Sequence, residues 1–293
     1  KQGKLNEAAE IYRNGLTRKP DHVETYNNLG TVLKNQNRFD EAIANYKRAI
    51  SLKPDYAEAY YNLANSYRGQ RRLDDALENY CKAIDSNPMH VEALNNLGVT
   101  LKEQGRLDEA LLIHNRVIRL RPDYAEAHNN NGIVLQELGM LREALKAFDK
   151  AIVSKPDYAE AHFNRSMALL LAAQFDEAWP EYEWRLRTKT YGLRTFQQSK
   201  WDGSLLDGQT IFVHSEQGLG DTIQFVRYLP MIKSQGGRVI FECYPSLYLL
   251  LRECPGIETI VERVPSGEPV ETFDVHVPLM SLPGIFGTRL NMI

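Results

Sequence analysis

Cysteine is scarce in this chain: Cys81, Cys243 and Cys254 are the only three among 293 residues. Their number and spacing form no even disulfide framework and no metal-binding motif. The scarcity of cysteine suits a reducing compartment, although it is also compatible with an oxidising one. We expect a cytoplasmic protein that holds no metal.

Excess charge of one sign and long apolar runs are also missing. The formal net charge is -3, which gives no general attraction to nucleic acid or to anionic membranes. The longest apolar stretch, near Ala168 to Ala173, is far too short to span a bilayer. No signal peptide is visible, but the chain begins with Lys1, so we expect that an N-terminal part precedes it.

Prolines recur with a fixed period of 34 residues, at positions 20, 54, 88, 122 and 156. Two amphipathic patterns lie between successive prolines, and their apolar residues are spaced three and four apart, which predicts two helices, A and B. In the second repeat these residues are Tyr60, Leu63, Ala64 and Tyr67 for helix A, and Ala76, Tyr80 and Ala83 for helix B.

This pattern resembles the tetratricopeptide repeat, over residues 1–187. The resemblance implies half a repeat, four full repeats and a terminal fifth repeat, stacked as an α-solenoid that exposes a long surface for binding. The chain departs from the usual pattern at His114, Val117, His128, Asn131 and His162.

Local signals support the helix boundaries. Asp55 and Glu58 have the spacing of a capping box at the start of helix A, and the same pair recurs in other repeats. Gly105 and Gly139 fall between helices A and B, where we expect a left-handed turn.

Asparagine recurs at one position of helix A, which predicts a column of amides: Asn28, Asn62, Asn96, Asn130 and Asn164. The helical wheel places this column about 200° from the packing stripe, pointing away from the neighbouring helices. In the repeat region of O-linked N-acetylglucosamine transferase, which this array resembles, such a ladder binds protein substrates. An amide suits an extended peptide because it offers a donor and an acceptor together. The alternative is a solvated polar face, inherited when the repeat was copied.

The 34-residue period stops after Arg187, and we interpret residues 188–209 as a connector. Residues 210–293 follow a different pattern, in which strands alternate with helices. We predict strands at 210–214, 238–243, 257–263 and 273–279, and helices at 222–235 and 245–254. This alternation is typical of a Rossmann-like parallel sheet.

The loop after the first of these strands, "HSEQGLGD", lies where such folds bind ligands. It lacks the third glycine of a dinucleotide fingerprint and the Lys-Ser/Thr pair of a triphosphate site. The segment "EQGLGDTIQFVRYLP" resembles the N-terminal half of family 9 glycosyltransferases, which have the GT-B fold. The resemblance implies that Asp221 is the general base; the alternative is an ordinary helix cap. Candidate acceptor-binding residues are His214, Glu216, Gln217, Gly218 and Gly220.

Three functions remain open at this stage. In the first, a bacterial parent protein transfers sugar from a nucleotide-sugar donor to a protein or glycan acceptor recruited by the repeats. The donor-binding half is absent, so we expect no cofactor in this chain and assign it no activity alone. In the second, the chain is a scaffold that binds a peptide. In the third, the sheet domain binds a nucleotide without transferring sugar.

Overall fold

The computed structural model describes residues 2–188, 194–216, 218–264 and 271–292. The chain divides into two compact units, Lys1–Pro156 and Asp157–Ile293. Each unit is described separately below.

The first unit consists of paired helices, which confirms the predicted repeat. The B helices are α1 (Gln2–Arg18), α3 (Phe39–Leu52), α5 (Leu73–Ser86), α7 (Leu107–Leu120) and α9 (Leu141–Ser154). The A helices are α2 (Val23–Asn35), α4 (Ala57–Gly69), α6 (Val91–Glu103) and α8 (Ala125–Glu137). The helix α1 has the position of a B helix, since the A helix α2 follows it.

Each hairpin closes by placing an aromatic ring of helix B on a small residue of helix A. Tyr46 and Phe148 are completely buried. A Cβ atom added to Gly30 would come within 2.6 Å of Tyr46, and one added to Gly132 would come within 2.5 Å of Phe148. Burial of each ring contributes on the order of 2–3 kcal/mol of transfer free energy. The small residues therefore allow the aromatic rings to fill the hairpin core.

The histidines that depart from the pattern behave differently from one another. His128 occupies the position of Tyr26 in the first repeat and makes the equivalent contact. The Nε2 atom of His128 lies 2.7 Å from the carbonyl oxygen of Pro122, and the Tyr26 hydroxyl lies 3.0 Å from the carbonyl oxygen of Pro20. His114 replaces the aromatic residue of helix B and is completely buried against Gly98. Neither ring nitrogen of His114 has a hydrogen-bond partner.

The turns between helices A and B are left-handed, as predicted at Gly105 and Gly139, whose φ angles are 75° and 76°. Asn37 and Arg71 occupy the same turn position with φ angles of 60° and 62°. The capping-box prediction is wrong. The A helix of the second repeat begins at Ala57, so Tyr56 is the N-cap and makes no side-chain capping bond.

The second unit begins with the fifth repeat, α10 (Ala159–Leu171) and α11 (Phe175–Tyr182), which a 3₁₀ turn (Glu183–Arg187) extends. The boundary between the compact units thus falls after Pro156, whereas the sequence led us to end the repeat domain at Arg187. The departure at His162 has a structural reason here: its ring stacks on Trp184 with centroids 3.9 Å apart.

A five-stranded parallel sheet follows. The strands are β1 (Ser199–Lys200), β2 (Thr210–His214), β3 (Arg238–Cys243), β4 (Thr259–Glu262) and β5 (Val275–Pro278), in the order β1-β5-β2-β3-β4. All four predicted strands are present, and β1 is an addition in the predicted connector. The shorter helices are α12 (Leu219–Phe225), α13 (Leu229–Ser234), α14 (Tyr248–Leu251) and α15 (Leu282–Ile285). The helix predicted at 222–235 is interrupted by a 3₁₀ turn before Pro230.

The core of the sheet region comes from alternate residues of the central strands. Ile211, Val213, Val239 and Phe241 are buried and pack with Leu229 in one cluster. The chain runs outward from β2 in both directions, to β3 on one side and to β5 on the other. Parallel sheets of this kind bind ligands at the carboxyl ends of the strands, beside such a switch in order. That edge is defined here by His214 and Pro278.

Candidate functional sites

The asparagine column occupies one position of successive A helices, but the burial of its members varies. Asn28 is exposed, Asn62 is 7% exposed, and Asn96 and Asn130 are half-buried. Asn164, also half-buried, belongs to α10 in the second unit. The helix position is as predicted, but the side chains are less accessible than a solvated face would be.

A repeated hydrogen bond explains this burial. The Nδ2 of each central asparagine donates to a side chain of the preceding A helix. Asn62 donates to Asn27 Oδ1 at 3.1 Å, and Asn130 donates to Asn95 Oδ1 at 3.1 Å. Asn96 donates to the Tyr61 hydroxyl at 3.4 Å, and more closely to Asn65 Oδ1, at 2.9 Å. The prediction that these amides point away from neighbouring helices is therefore wrong for Asn62, Asn96 and Asn130, because they bridge adjacent repeats.

The bridging bond uses only part of each amide. A primary amide has two N–H donors and a carbonyl acceptor. The bonds within the protein use both donors of Asn62 and Asn96 and one donor of Asn130. The Oδ1 atoms of Asn62, Asn96 and Asn130 accept no hydrogen bond from the described residues, and none of them is among the fully buried unpartnered atoms. Each therefore retains an accessible acceptor, held in a fixed orientation by its neighbour.

Charged groups lie beside the column. His90 Nε2 lies 3.4 Å from Glu58 Oε2, and the hydrogen bond from His90 lowers the pKa of the Glu58 carboxyl below its ordinary value. Asn62 Nδ2 also lies 3.4 Å from Glu58 Oε1. The Tyr61 ring packs on the His90 ring with centroids 4.9 Å apart. The column is therefore bordered by an ionised carboxylate and an aromatic side chain.

In the second unit, Glu216 lines the same cavity as His214, whereas Asp221 lines another. Glu216 Oε2 lies 2.8 Å from Arg185 Nη2, and Arg185 is completely buried. Burial raises the pKa of Glu216, and the Arg185 charge opposes this rise. The carboxylate of Glu216 is thus paired within the protein, and its role in holding an acceptor stays a prediction.

Asp221 lies in a different place from His214. It is the third residue of α12, half-buried, and it lines a cavity of about 270 Å³ with Phe163, Trp179 and Gln224. Asp221 is not the N-cap of α12, because Gly218 occupies that position. The helix-cap interpretation therefore does not describe Asp221, and its role as a general base stays a prediction.

The remaining predicted acceptor residues have separate surroundings. Gly218 has an extended backbone, with φ at -61°, and Gly220 lies inside α12 with open space where a Cβ atom would be. Neither residue has the left-handed backbone conformation that would require a glycine. Gln217 lies outside the described residues. Of the predicted acceptor set, His214 is the one that lines a cavity without a bond to another side chain of the described chain.

The cavity at His214 has a volume of about 250 Å³ and lies at the carboxyl ends of β2 and β5. Charged, polar, aromatic and apolar residues line it: Leu186, Arg194, Thr195, Phe196, Lys200, His214, Ser215, Glu216, Arg263, His276 and Pro278. The sequence did not predict that Arg194, Arg263 and His276 line a ligand cavity. The one sequence signal for this role was the position of His276 inside the fourth predicted strand.

Both histidines in this cavity are held neutral. His214 is 4% exposed, and burial lowers the pKa of its imidazole well below its ordinary value. Electrostatic repulsion from Arg194 and His276 contributes to the same shift, to a smaller extent. Burial also lowers the pKa of His276 to about 4. Neither ring nitrogen of His214 has a hydrogen-bond partner. The described part of the chain contains no group of three metal-ligating side chains, and no helix in it is long and apolar enough to cross a membrane.

Comparison with known proteins agrees with the repeat architecture. Sequence profiles described as the TPR repeat and the tetratricopeptide repeat match residues 32–70 and residues 61–125 and 129–184, respectively. None of the curated proteins compared with the chain matches it. The chain is a tetratricopeptide-repeat protein, suited to interaction with proteins or peptides.

Solved structures share this fold. YrrB, described as a TPR protein with an unusual peptide-binding site, is 24% identical; the match covers 62% of this chain and 94% of YrrB, with a TM-score of 0.51. The MamA protein is 25% identical over 59% of this chain and 97% of its own, with a TM-score of 0.51. A tetratricopeptide repeat protein from Parabacteroides merdae is 21% identical over 64% and 74%, with a TM-score of 0.55.

Proposed function

We propose that the chain binds an extended peptide along the A helices of the first unit, with Asn62, Asn96 and Asn130 as the central contacts. The observation that carries this proposal is the recurring bond between repeats, which orients each amide and leaves its oxygen accessible. The oxygen of each amide accepts an N–H of the peptide backbone. At Asn130, whose Nδ2 makes one hydrogen bond within the described residues, the second N–H donates to a peptide carbonyl. Backbone contacts of this kind tolerate many peptide sequences.

The fixed orientation of the amides favours binding over a merely solvated face. An amide that is already held by its neighbour loses less side-chain entropy when a ligand binds. Asn62, Asn96 and Asn130 are each held in this way, whereas Asn28 is exposed. We therefore place the peptide against the second, third and fourth repeats. A peptide-binding site is also described for YrrB, whose repeat fold this chain shares.

The test separates peptide binding from stability by mutating either side of the same hydrogen bonds. Peptides are first selected on the whole chain from a random-peptide display library. Asn62→Ala with Asn130→Ala removes two ligand-facing amides. Asn27→Ala with Asn95→Ala removes their two buried acceptors, which are 6% and 7% exposed. Each pair loses the same two bonds between repeats, so both variants are expected to lose similar stability.

The first pair is expected to weaken peptide binding more. Two lost hydrogen bonds correspond to about tenfold or more in affinity, measured by calorimetry. The partner-side variant should lose clearly less affinity, because it keeps both ligand-facing amides and loses only their fixed orientation. Equal losses in the two variants would show that the column only joins repeats, and the peptide proposal would be abandoned.

Sugar transfer by the parent protein is a second candidate, favoured by the order of the strands. If β2 is counted as the first strand, the neighbouring strands β4-β3-β2-β5 have the order 3-2-1-4. Doubly wound nucleotide-binding sheets have the same order. Asp221 is half-buried beside a cavity lined by Trp179 and Gln224, which offers room for an acceptor near a carboxylate. The test is a glycan-array binding measurement with the chain and with Asp221→Asn. Binding that Asp221→Asn alters supports this candidate, and failure of every glycan to bind removes it.

A further inference from the structure

The cavity at the carboxyl ends of β2 and β5 contains one positive charge that the protein does not neutralise. Arg194 is paired with Glu242, at 2.5 and 3.0 Å, and Lys200 is paired with Glu183. Arg263 donates only to neutral oxygens, the carbonyl of Ser215 and the hydroxyl of Tyr244, both at 3.2 Å. No carboxylate among the described residues forms an ion pair with Arg263.

A buried polar group of the same cavity also lacks a hydrogen-bond partner among the described residues. His214 is 4% exposed, it lines the cavity, and both of its ring nitrogens are unpartnered within the described chain. Buried polar atoms in folded proteins are almost always hydrogen-bonded, so such an atom calls for an explanation. At about 250 Å³, the cavity is far larger than the roughly 15 Å³ that one water molecule requires. A bound molecule therefore fits both the space and the unpartnered imidazole.

One side of the lining is apolar; the rest includes Thr195, Ser215 and Glu216, whose carboxylate is paired with Arg185. The Phe196 ring lies 5.1 Å from the His214 ring and 4.4 Å from the His276 ring, measured between centroids. Leu186 and Pro278 complete this side. One uncompensated charge combined with an apolar wall selects a ligand that has a single negative charge and an apolar body.

We propose that this cavity binds a small carboxylate with an apolar body, whose carboxyl group pairs with the Arg263 guanidinium and accepts a hydrogen bond from the His214 ring. A guanidinium and a carboxylate form parallel hydrogen bonds, which makes the pair stronger than a contact between neutral groups. The neutral imidazole supplies one N–H donor toward the same group. The apolar body lies against Phe196. The proposal is independent of peptide binding, because these residues all belong to the second unit.

The test compares benzoate with benzamide, which has the same shape and no charge. The whole chain carries ¹⁵N-labelled histidine, and ring resonances are followed by NMR, with His214→Phe used to assign the His214 signals. Benzoate is expected to shift the His214 ring signals in a saturable way and to bind at least about tenfold more tightly than benzamide. Inorganic phosphate serves as a third probe and is expected to bind more weakly than benzoate.

Arg263→Gln is expected to lower benzoate affinity about tenfold and to leave benzamide affinity unchanged, while Arg263→Lys restores part of the preference. Arg252→Gln is the matched control, since Arg252 is 53% exposed and does not line the cavity. It should leave benzoate affinity within about twofold of the unchanged chain. Equal affinity for benzoate and benzamide, unmoved His214 signals, or tighter binding of phosphate than of benzoate would each overturn the proposal.

Discussion

His114 shows how a single substitution changes the chemistry of a repeat core. It occupies the position of Tyr46, Tyr80 and Phe148 in the other repeats, yet its two ring nitrogens are buried without partners. Burial and, to a smaller extent, the nearby Lys102 charge lower the pKa of His114 to about 4. Since the unfolded chain titrates near 6.5, protonation favours unfolding as the pH falls from about 6.5 to 4, and stability decreases over that range.

We predict that His114→Phe stabilises the first unit by about 1–3 kcal/mol at pH 7, because it removes two unsatisfied polar atoms and keeps the ring on Gly98. At pH 5 the advantage should grow by about 2 kcal/mol, since the unfolded form of the variant gains no proton at this position. Urea unfolding followed by circular dichroism at both pH values measures the two quantities.

His128→Phe is the control for this prediction, because His128 is bonded to the Pro122 carbonyl. It should destabilise the chain, whereas His128→Tyr should retain stability by restoring the bond that Tyr26 makes to Pro20. A destabilising His114→Phe, or an effect that does not change with pH, would contradict the account of this core.

Arg71 occupies a left-handed turn position with φ at 62°, where glycine stands in the third and fourth repeats. A residue with a Cβ atom costs about 1–2 kcal/mol there, and glycine loses up to about 1 kcal/mol of entropy on folding. Arg71→Gly is therefore expected to stabilise the chain by about 0.5–1 kcal/mol in urea unfolding. Gly105→Ala, the reverse change in the equivalent turn, should destabilise it. A loss of stability in Arg71→Gly would show that the Arg71 side chain matters more than its backbone.

Single positions were predictable from the sequence where they repeat. The aromatic and small residues of the hairpin cores and the glycine turns recur every 34 residues, and the structure places them as expected. The hydrogen-bond partners of the asparagines were not predictable. Asn27 and Asn95 each stand one position before an asparagine of the column, but Tyr61 stands at that position in the second repeat. An amide bond between repeats depends on the offset of adjacent helices, which a helical wheel does not contain.

At the scale of secondary-structure elements, Arg185 joins the 3₁₀ turn after α11 to the sheet region. Its guanidinium bonds to Glu183 at 2.7 Å, to Glu216 at 2.8 Å and to the Ser281 hydroxyl at 3.0 Å. The Arg185 carbon Cζ also lies 4.6 Å from the centroid of the Tyr182 ring. These contacts explain why the fifth repeat forms one compact unit with the sheet rather than with the first four repeats.

We predict that Arg185→Met lowers the free energy of unfolding of the second unit by about 3–5 kcal/mol, because it leaves Glu216 buried without its charge partner. Adding Glu216→Gln should recover part of the loss, since the buried charge is then removed. Thermal unfolding monitored by tryptophan fluorescence measures both, because all three tryptophans lie in this unit. A double variant no more stable than Arg185→Met would contradict the assigned pairing.

The elements themselves followed from periodicity. Apolar residues at steps of three and four predicted the helices of the repeats, and short apolar runs between turn residues predicted β2 to β5. The two-residue strand β1 was missed because Ser199 and Lys200 are both exposed and show no apolar alternation. The Arg185 cluster was missed because its partners lie 31 and 96 residues along the chain.

At the scale of the whole molecule, the chain carries two candidate sites in separate compact units. Asn62, Asn96 and Asn130 lie in the first unit, and the cavity at His214 lies in the second. We predict that Arg263→Gln leaves peptide affinity within about twofold of the unchanged chain, measured by calorimetry with the selected peptide. A larger change would show that the two sites are coupled.

The most direct test of the central claim replaces one backbone amide of the selected peptide by an ester, which removes a single N–H donor. Where that N–H meets the oxygen of Asn96, the ester should bind the unchanged chain about tenfold more weakly, and it should lose no further affinity toward Asn96→Ala. A scan of ester positions along the peptide, measured by calorimetry on both proteins, locates the contact. Ester peptides that bind as tightly as the amide at every position, or that lose the same affinity toward both proteins, would contradict recognition of the peptide backbone by the asparagine column.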